Sequence, residues 1–436
     1  MNTPLTILLL GSGGREHALA WKLVQSPLVS HIYVVPGNGG TATLAPEKVT
    51  NISSISESDF SALLAFALEK SVNFLIPGPE APLVAGVVDY FDKNGGKESG
   101  IKAFGPSSAG ARMEGSKTFS KDFMKRHSIP TAAYENFSSY EAAKKYLDSI
   151  SHSVVIKASG LAAGKGVIIP TTKEEAHAAL REIMLDREFG SAGDEVVIEE
   201  FLTGDELSIL SFSDGTTIAS LPPAQDHKRI GDNDTGPNTG GMGTYAPIPI
   251  ATPDLVAQMH AESLQPTIDG MRAEGFPFKG LLFTGFMLTP QGPKVLEYNV
   301  RFGDPETQSL LPLLTTDLAE IMLSCANGTL SSTPISLSGK SAATVVVAAG
   351  GYPGSYKKGT EMHLEDLPQD VVLFHAGTKW DEKEKKLTTA GGRVIASTAV
   401  ASTLEEAVKK AYQGVEKVKF EGMQFRKDIA GRALKK

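Results

Sequence analysis

Four short apolar runs, Leu5–Leu10, Ile32–Val35, Val72–Ile76 and Ile101–Phe104, are separated by helical patterns such as Glu16–Val24 and Phe60–Glu69. This rhythm constrains the fold more than any other feature of the chain. Strands joined through helices run parallel, and runs that are apolar throughout belong to a sheet covered on both faces. Pro77-Gly78-Pro79-Glu80 ends the third run sharply. The opening region is therefore read as an open α/β domain, with ligands beyond the carboxyl ends of its strands.

The length of 436 residues predicts roughly three domains at about 150 residues each. From Ser107 to about Ile129 the pattern is helical, with Lys117 and Lys121 near its middle. A compact stretch follows: strand Val154–Lys157, a glycine loop, strand Val167–Ile169, helix Lys173–Leu185 and strand Glu195–Glu199. Further strands are expected at Leu207–Phe212, Leu281–Leu288 and Lys294–Asn299, the last two flanking a Pro290-Gln291-Gly292 turn. Ser331–Lys340 reads as a linker. Beyond it, Ala342–Ala349, Val371–His375, Arg393–Thr398 and helix Leu404–Val418 suggest a small α+β domain. The fold class is thus α/β and α+β, in several domains.

Lys and Arg number 42 against 50 Asp and Glu, a net charge of −8, so a global basic field for nucleic acid is missing. The single cysteine, Cys325, cannot form a disulfide within the chain and is read as inert packing in a helix, in a reducing compartment. No apolar run approaches the roughly 18 residues of a membrane span. Pro4 leads straight into the first strand rather than a signal peptide. A soluble, cytoplasmic protein is expected.

Glycine is the compositional outlier, at 44 of 436 residues. One group forms the turn Gly11-Ser12-Gly13-Gly14-Arg15-Glu16-His17 between a strand and a helix, where backbone N–H groups can meet a phosphate. A dinucleotide fingerprint would need Gly or Ala in place of Glu16, and an acid where the second strand instead runs into Pro36-Gly37-Asn38-Gly39-Gly40. A phosphate-bearing small molecule or an unliganded turn both remain open. In Lys157–Gly166 the Walker pattern fails, because Lys165 takes the place of its second glycine and no Ser or Thr follows. A hairpin with a flexible tip fits better, either folding over nucleotide phosphates or merely solvated.

Val196–Leu202 is a strand ending in acids that could offer main-chain groups to adenine, with Glu206 for ribose; ordinary surface acids are the alternative. Glu297 and Asn299 lie two apart in a strand and leave on one face, as hard oxygen ligands suited to Mg²⁺ or Mn²⁺. Arg301-Phe302-Gly303-Asp304-Pro305-Glu306 follows at once, too polar for core. Asp226-His227-Lys228-Arg229 and Asn238–Gly243 form a further cluster or an exposed loop; scattered histidines argue against zinc.

In this order the segments resemble the ATP-grasp ligases, and among them the phosphoribosylamine–glycine ligase family. The match runs from the Gly11–His17 turn, through Pro77–Glu80 and Lys157–Gly166, to Arg301–Gln308, which resembles the family signature throughout. The resemblance implies an ATP-grasp fold in four parts. These are an N-terminal α/β substrate-binding domain (1–113), a central ATP-grasp domain (114–134 and 204–335), a lid (135–203) and a C-terminal α+β domain (336–436). It implies ATP-driven joining of glycine to 5-phosphoribosylamine in purine biosynthesis, with Mg²⁺ or Mn²⁺ on Glu297 and Asn299.

By the same motifs Lys117, Lys157, Gly160, Gly164, Lys165 and Gly166 would hold ATP phosphates, Glu199, Glu200 and Leu202 adenine, and Glu206 ribose. Gly13, Gly14, Arg15, Asn38, Glu80, Asp226, Lys228, Gly241, Arg301 and Asp304 would face the other substrates, with Lys157, Arg301 and Asp226 nearest the chemistry. Phe283-Thr284-Gly285 stands where many ATP-grasp enzymes carry another acidic metal ligand. The expected form is a monomer, with no nucleic acid or membrane partner. The expected reaction passes through glycyl phosphate, which needs alignment and charge neutralisation rather than a protein nucleophile. Another carboxylate–amine ligase, or a nucleotide-binding regulator, are the rival readings.

Overall fold

The computed structural model describes residues 3–162 and 165–435. Strand Leu5–Gly11 lies at the centre of a five-stranded parallel sheet, between Val29–Pro36 and Phe74–Pro77. Lys102–Ala103 forms one edge, and the short strand Val49–Asn51, which no apolar run announces, forms the other. Ile7, Leu8, Leu9 and Leu10 are fully buried, as a sheet covered on both faces requires. Strand order reverses beside Leu5–Gly11, so the crevice beyond Gly11 and Pro77 is the switch point at which open α/β sheets bind ligands.

The expected helix over Ser107–Ile129 is two helices, Ser108–Gly115 and Lys117–Arg126. The break is at Ser116, which leaves helical angles and caps the second helix by accepting from Phe119 N. The stretch 135–203, expected as a lid, centres on an antiparallel four-stranded sheet, Tyr134–Phe137, Val196–Glu200, Val154–Ala158 and Val167–Ile168 in spatial order. It has its own core around Ile156, Leu180, Ile183 and Ile198.

A second antiparallel sheet carries Ile218–Ser220, Asp205–Asp214, Lys279–Thr289 and Gly292–Asn299 in that order. Thr289 pairs with Gly292 across the expected hairpin turn. Helix Leu318–Asn327 packs on this sheet and buries Cys325 completely.

The third large sheet crosses position 336. It combines Gln225–Asp226 and Gly243–Ala246 with Ser341–Ala349, Arg393–Ala401 and Val371–His375, and Met423–Gln424 pairs with Ser341–Ala349. The Ser-rich tract before it is not a free linker, since Ser338 N donates to Leu313 O and Thr315 N to Ser336 O. Helix Leu404–Val415 covers the sheet and ends before strand Val418–Lys419, short of the expected Val418. Among the described residues no helix is long and apolar enough to cross a membrane.

Candidate active site

The first glycine turn encloses a carboxylate. Gly11 has φ +118°, and a Cβ there would stand 2.6 Å from Cδ of Glu16, whose side chain fills the gap between Gly11 and Gly78. Glu16 Oε2 accepts Gly13 N at 2.6 Å, and its other oxygen pairs with the Arg15 guanidinium. Arg15 N donates to Asp304 Oδ2 at 3.1 Å, Arg15 Nη1 donates to Phe302 O at 3.1 Å, and Gly14 abuts Gln308.

The amides of Gly13 and Arg15, expected to face a phosphate, are thus engaged by carboxylates inside the protein. Asn38 is likewise committed. Its Oδ1 accepts from Gly40 N and Thr41 N, while Nδ2 donates to Ser12 O and His375 O. Buried and saturated, its amide braces the turn.

Lys157, near the end of strand Val154–Ala158, and Lys121, within helix Lys117–Arg126, meet at one acid. Glu199 Oε1 lies 2.9 Å from Lys157 Nζ and Oε2 lies 3.0 Å from Lys121 Nζ, all three side chains buried. Burial opposes charge on Glu199, but Lys157 and then Lys121 hold its carboxyl below the usual range. The Glu199 side chain therefore clamps two lysines. Burial lowers Lys121 to about 8 against the pull of Glu199.

Glu200 accepts from Ala133 N at 3.0 Å and Lys294 Nζ at 3.1 Å, and Leu202 and the exposed Phe201 lie in the connection from Val196–Glu200 to Asp205–Asp214. Lys117 Nζ donates to Gly160 O at 3.1 Å, tying the glycine loop to the helix start. Lys165 is exposed, Gly166 is buried, and Gly164 lies outside the described residues.

Glu297 sits at the centre of the charged groups. Burial works against its ionisation, yet Lys228, Lys157, Lys117 and Arg301, in that order, hold its carboxyl below the ordinary value. Among the described residues it accepts no hydrogen bond. It lies opposite Gly285, next to a register shift, and Asn299 lies opposite Phe283. Among the described residues Asn299 Oδ1 accepts only a long bond from Arg301 Nη2, 3.3 Å.

Among the described residues no group of three or more His, Cys, Asp or Glu could hold a metal. One ionised, unengaged carboxylate beside an amide oxygen nevertheless fits a hard divalent cation that takes its remaining ligands from phosphates and water.

Arg301 ion-pairs with Glu114 Oε1 at 2.9 Å and with Glu80 Oε2 at 3.3 Å. Glu114 is buried and also accepts Val300 N at 2.8 Å. Lys228 Nζ lies 2.7 Å from Glu206 Oε2. Asp226 occupies a strand of the third sheet and is raised by burial and Glu206 against the pull of Lys228. Burial and the neighbouring Asp226 push Glu306 up to about 7.

The third sheet adds a residue that no local pattern announces. Arg393 Nη1 donates to Gly240 O and to Asp304 O, both at 2.7 Å. Gly241, at φ +115°, comes so close to Pro305 that a Cβ would stand 2.6 Å from its Cδ. Arg393 therefore joins the 240–241 turn to Asp304, and Asp304 joins both to Arg15. Lys121, Glu114 and Arg393 are the participants that sequence reasoning left out. Lys121 was visible as a lysine one turn after Lys117, whereas Glu114 and Arg393 carry no signal short of the tertiary structure.

Family profiles match three stretches: phosphoribosylglycinamide synthetase N domain over residues 5–114, its ATP-grasp (A) domain over 115–307 and its C domain over 342–432. The bifunctional purine biosynthetic protein PUR2,5 of Pichia angusta is 60% identical over 435 residues, 99% of this chain and 54% of that protein. The chain thus spans about half the length of that bifunctional relative. The phosphoribosylamine–glycine ligase of Agrobacterium fabrum is 48% identical over 431 residues, 99% of both chains.

The crystal structure of phosphoribosylamine–glycine ligase from Thermotoga maritima superposes with TM-score 0.81 at 34% identity, covering 98% of this chain and 100% of that one. The biotin carboxylase domain of the Hydrogenobacter thermophilus 2-oxoglutarate carboxylase shares the fold, with TM-score 0.72 at 17% identity over 98% of this chain and 92% of that one.

Proposed function

Because the chain belongs to the phosphoribosylglycinamide synthetase family, we propose that it joins glycine to 5-phosphoribosylamine in de novo purine biosynthesis. ATP is converted to ADP and phosphate, and the product is glycinamide ribonucleotide. The observation that carries the reading is Glu297, an ionised carboxylate with no hydrogen bond among the described residues, facing Lys117, Lys157, Lys228 and Arg301. Of these cations, Lys117 and Lys157 suit a polyphosphate with a divalent cation, and Lys228 and Arg301 suit the other substrates.

Glu297 and Asn299 are assigned that cation, Mg²⁺ or Mn²⁺, which when bound would neutralise charge on the transferring phosphates. Lys157, held by Glu199, and Lys117 are assigned the phosphates, with the Gly160–Gly166 loop above them. The main chain of Glu200–Leu202 is assigned adenine, and Glu206 ribose. Glu80, Asp226, Lys228, Gly241, Arg301 and Asp304 are assigned to the glycine and sugar-amine side.

In the first step a glycine carboxylate oxygen attacks the γ-phosphorus and the bond to ADP breaks. In the second the amine nitrogen attacks the carbonyl carbon of glycyl phosphate, the carbon–oxygen bond to phosphate breaks, and the amine loses a proton. Arg301 supplies positive charge where the carboxylate docks, and lid closure keeps water from the acyl phosphate. ADP release should require glycine and 5-phosphoribosylamine together. Release supported by a different amine or carboxylate, with these two inert, would replace this assignment with another ligase.

A further inference from the structure

Lys228 lies at the foot of a β-ribbon, Arg229–Gly231 with Thr235–Asn238, that pairs with no other strand among the described residues. Every residue of Thr235–Asn238 is exposed, so the ribbon has no core of its own. A lone two-stranded ribbon is marginal in water. Its tip is also unfavourable, because Asn233 and Asp234 are consecutive non-glycine residues at φ +55°.

What holds it is the segment Arg426–Arg432. Arg426, only 1% exposed, donates through Nε and Nη2 to the two oxygens of Asp428 and through Nη1 to Asp234 Oδ1, each at 2.8 Å. Nη1 also donates to Arg229 O at 3.2 Å. Asp428 Oδ2 accepts Asn233 N at 2.8 Å, and Lys427 N donates to Asp232 Oδ1 at 2.7 Å. On the other side of Lys228, Ala430 N donates to His227 Nε2 at 3.2 Å. The segment therefore grips the residue before Lys228 and the residue after it.

We propose that Arg426–Arg432 is a strap that fixes the ribbon and, through His227 and Arg229, the direction of Lys228, with Arg426 as a positioning residue for the ligation. The proposal rests on the functional reading above for its kinetic consequence. A buried arginine with two carboxylate partners is costly to leave half-paired, which suits a fixed anchor rather than a surface ornament.

The test compares Arg426→Lys and Asp234→Asn with the parent chain, alone and in a Lys228→Met background. Arg426→Lys should lower kcat/KM for 5-phosphoribosylamine and glycine about tenfold, and Asp234→Asn about threefold, with the Kd for ATP moving less than about twofold. In the Lys228→Met background either loss should shrink to less than about twofold, because the strap acts through a side chain already removed. Amide exchange over 229–238 should rise in both strap variants.

Unchanged kinetics, an equal loss of ATP affinity, or losses of full size without Lys228 would overturn the proposal. Asp234 is one-third exposed, so its variant carries the comparison if Arg426→Lys does not fold. If the parent chain releases no ADP on the two substrates, the functional reading falls instead. The strap is then judged by exchange, and unaltered exchange over 229–238 would overturn it.

Discussion

Glu199 shows how a residue's role follows from what reaches it. In sequence it is an acid near a strand end; in the fold it lies between two buried ammonium groups from a helix and a neighbouring strand. Removing one partner of a buried cluster leaves charge without compensation, so Glu199→Gln should cost about 3 kcal/mol in unfolding free energy. It should also raise the KM for ATP; an ordinary surface acid would show neither change in denaturant titration and steady-state kinetics.

Glu306 gives a pH-dependent counterpart. Its folded pKa, about 7, lies above the ordinary 4.5, so the folded state binds the extra proton between those values. Its contribution is full below the lower value and is lost as pH rises through the upper one. Glu306→Gln should therefore gain stability relative to the parent chain between about pH 5 and pH 8, by about 2 kcal/mol in urea midpoints. A constant difference across that range would remove Glu306 from the account.

Elements were legible where one kind of pattern dominated. Parallel strands announced themselves as apolar runs, and Phe60–Glu69 ends as its periodicity predicts because Asp59 caps its start. Legibility failed where partners were distant. Val49–Asn51 is a strand only because Val29–Pro36 offers it an edge, and Gln225–Asp226 only because Gly243–Ala246 does. The Gly160 stretch belongs at this scale as well. A Cβ there would stand 2.7 Å from Ala192 Cα in the turn Gly190–Gly193, so the backbone whose Gly160 O accepts from Lys117 must shift. Gly160→Ala should raise the KM for ATP about tenfold while the KM for glycine changes less than twofold. Equal changes in both would show that the loop does not act on the nucleotide alone.

Across the whole molecule, the polar string Arg301–Gln308 stood out because so many polar groups in succession make poor core, yet the fold buries most of it. What could not be read is how the parts lock around it. Asp304 touches Arg15 from the first domain and Arg393 from the third sheet, and His375 N donates to His17 Nδ1 across the same seam. Such contacts join positions 89 to 358 residues apart and leave no periodic trace. They also give part of the glycine excess a packing role: Gly11 makes room for the Glu16 side chain, and Gly241 for Pro305 at the seam.

On the proposed function, charge gathered around Glu297 drives transfer of the γ-phosphoryl group to glycine. The most direct test supplies glycine labelled with ¹⁸O in its carboxylate and follows released phosphate by ³¹P NMR. One labelled oxygen should appear in phosphate at each turnover, and Glu297→Ala, still folded by circular dichroism, should release none. Phosphate free of label during full product formation would contradict the account.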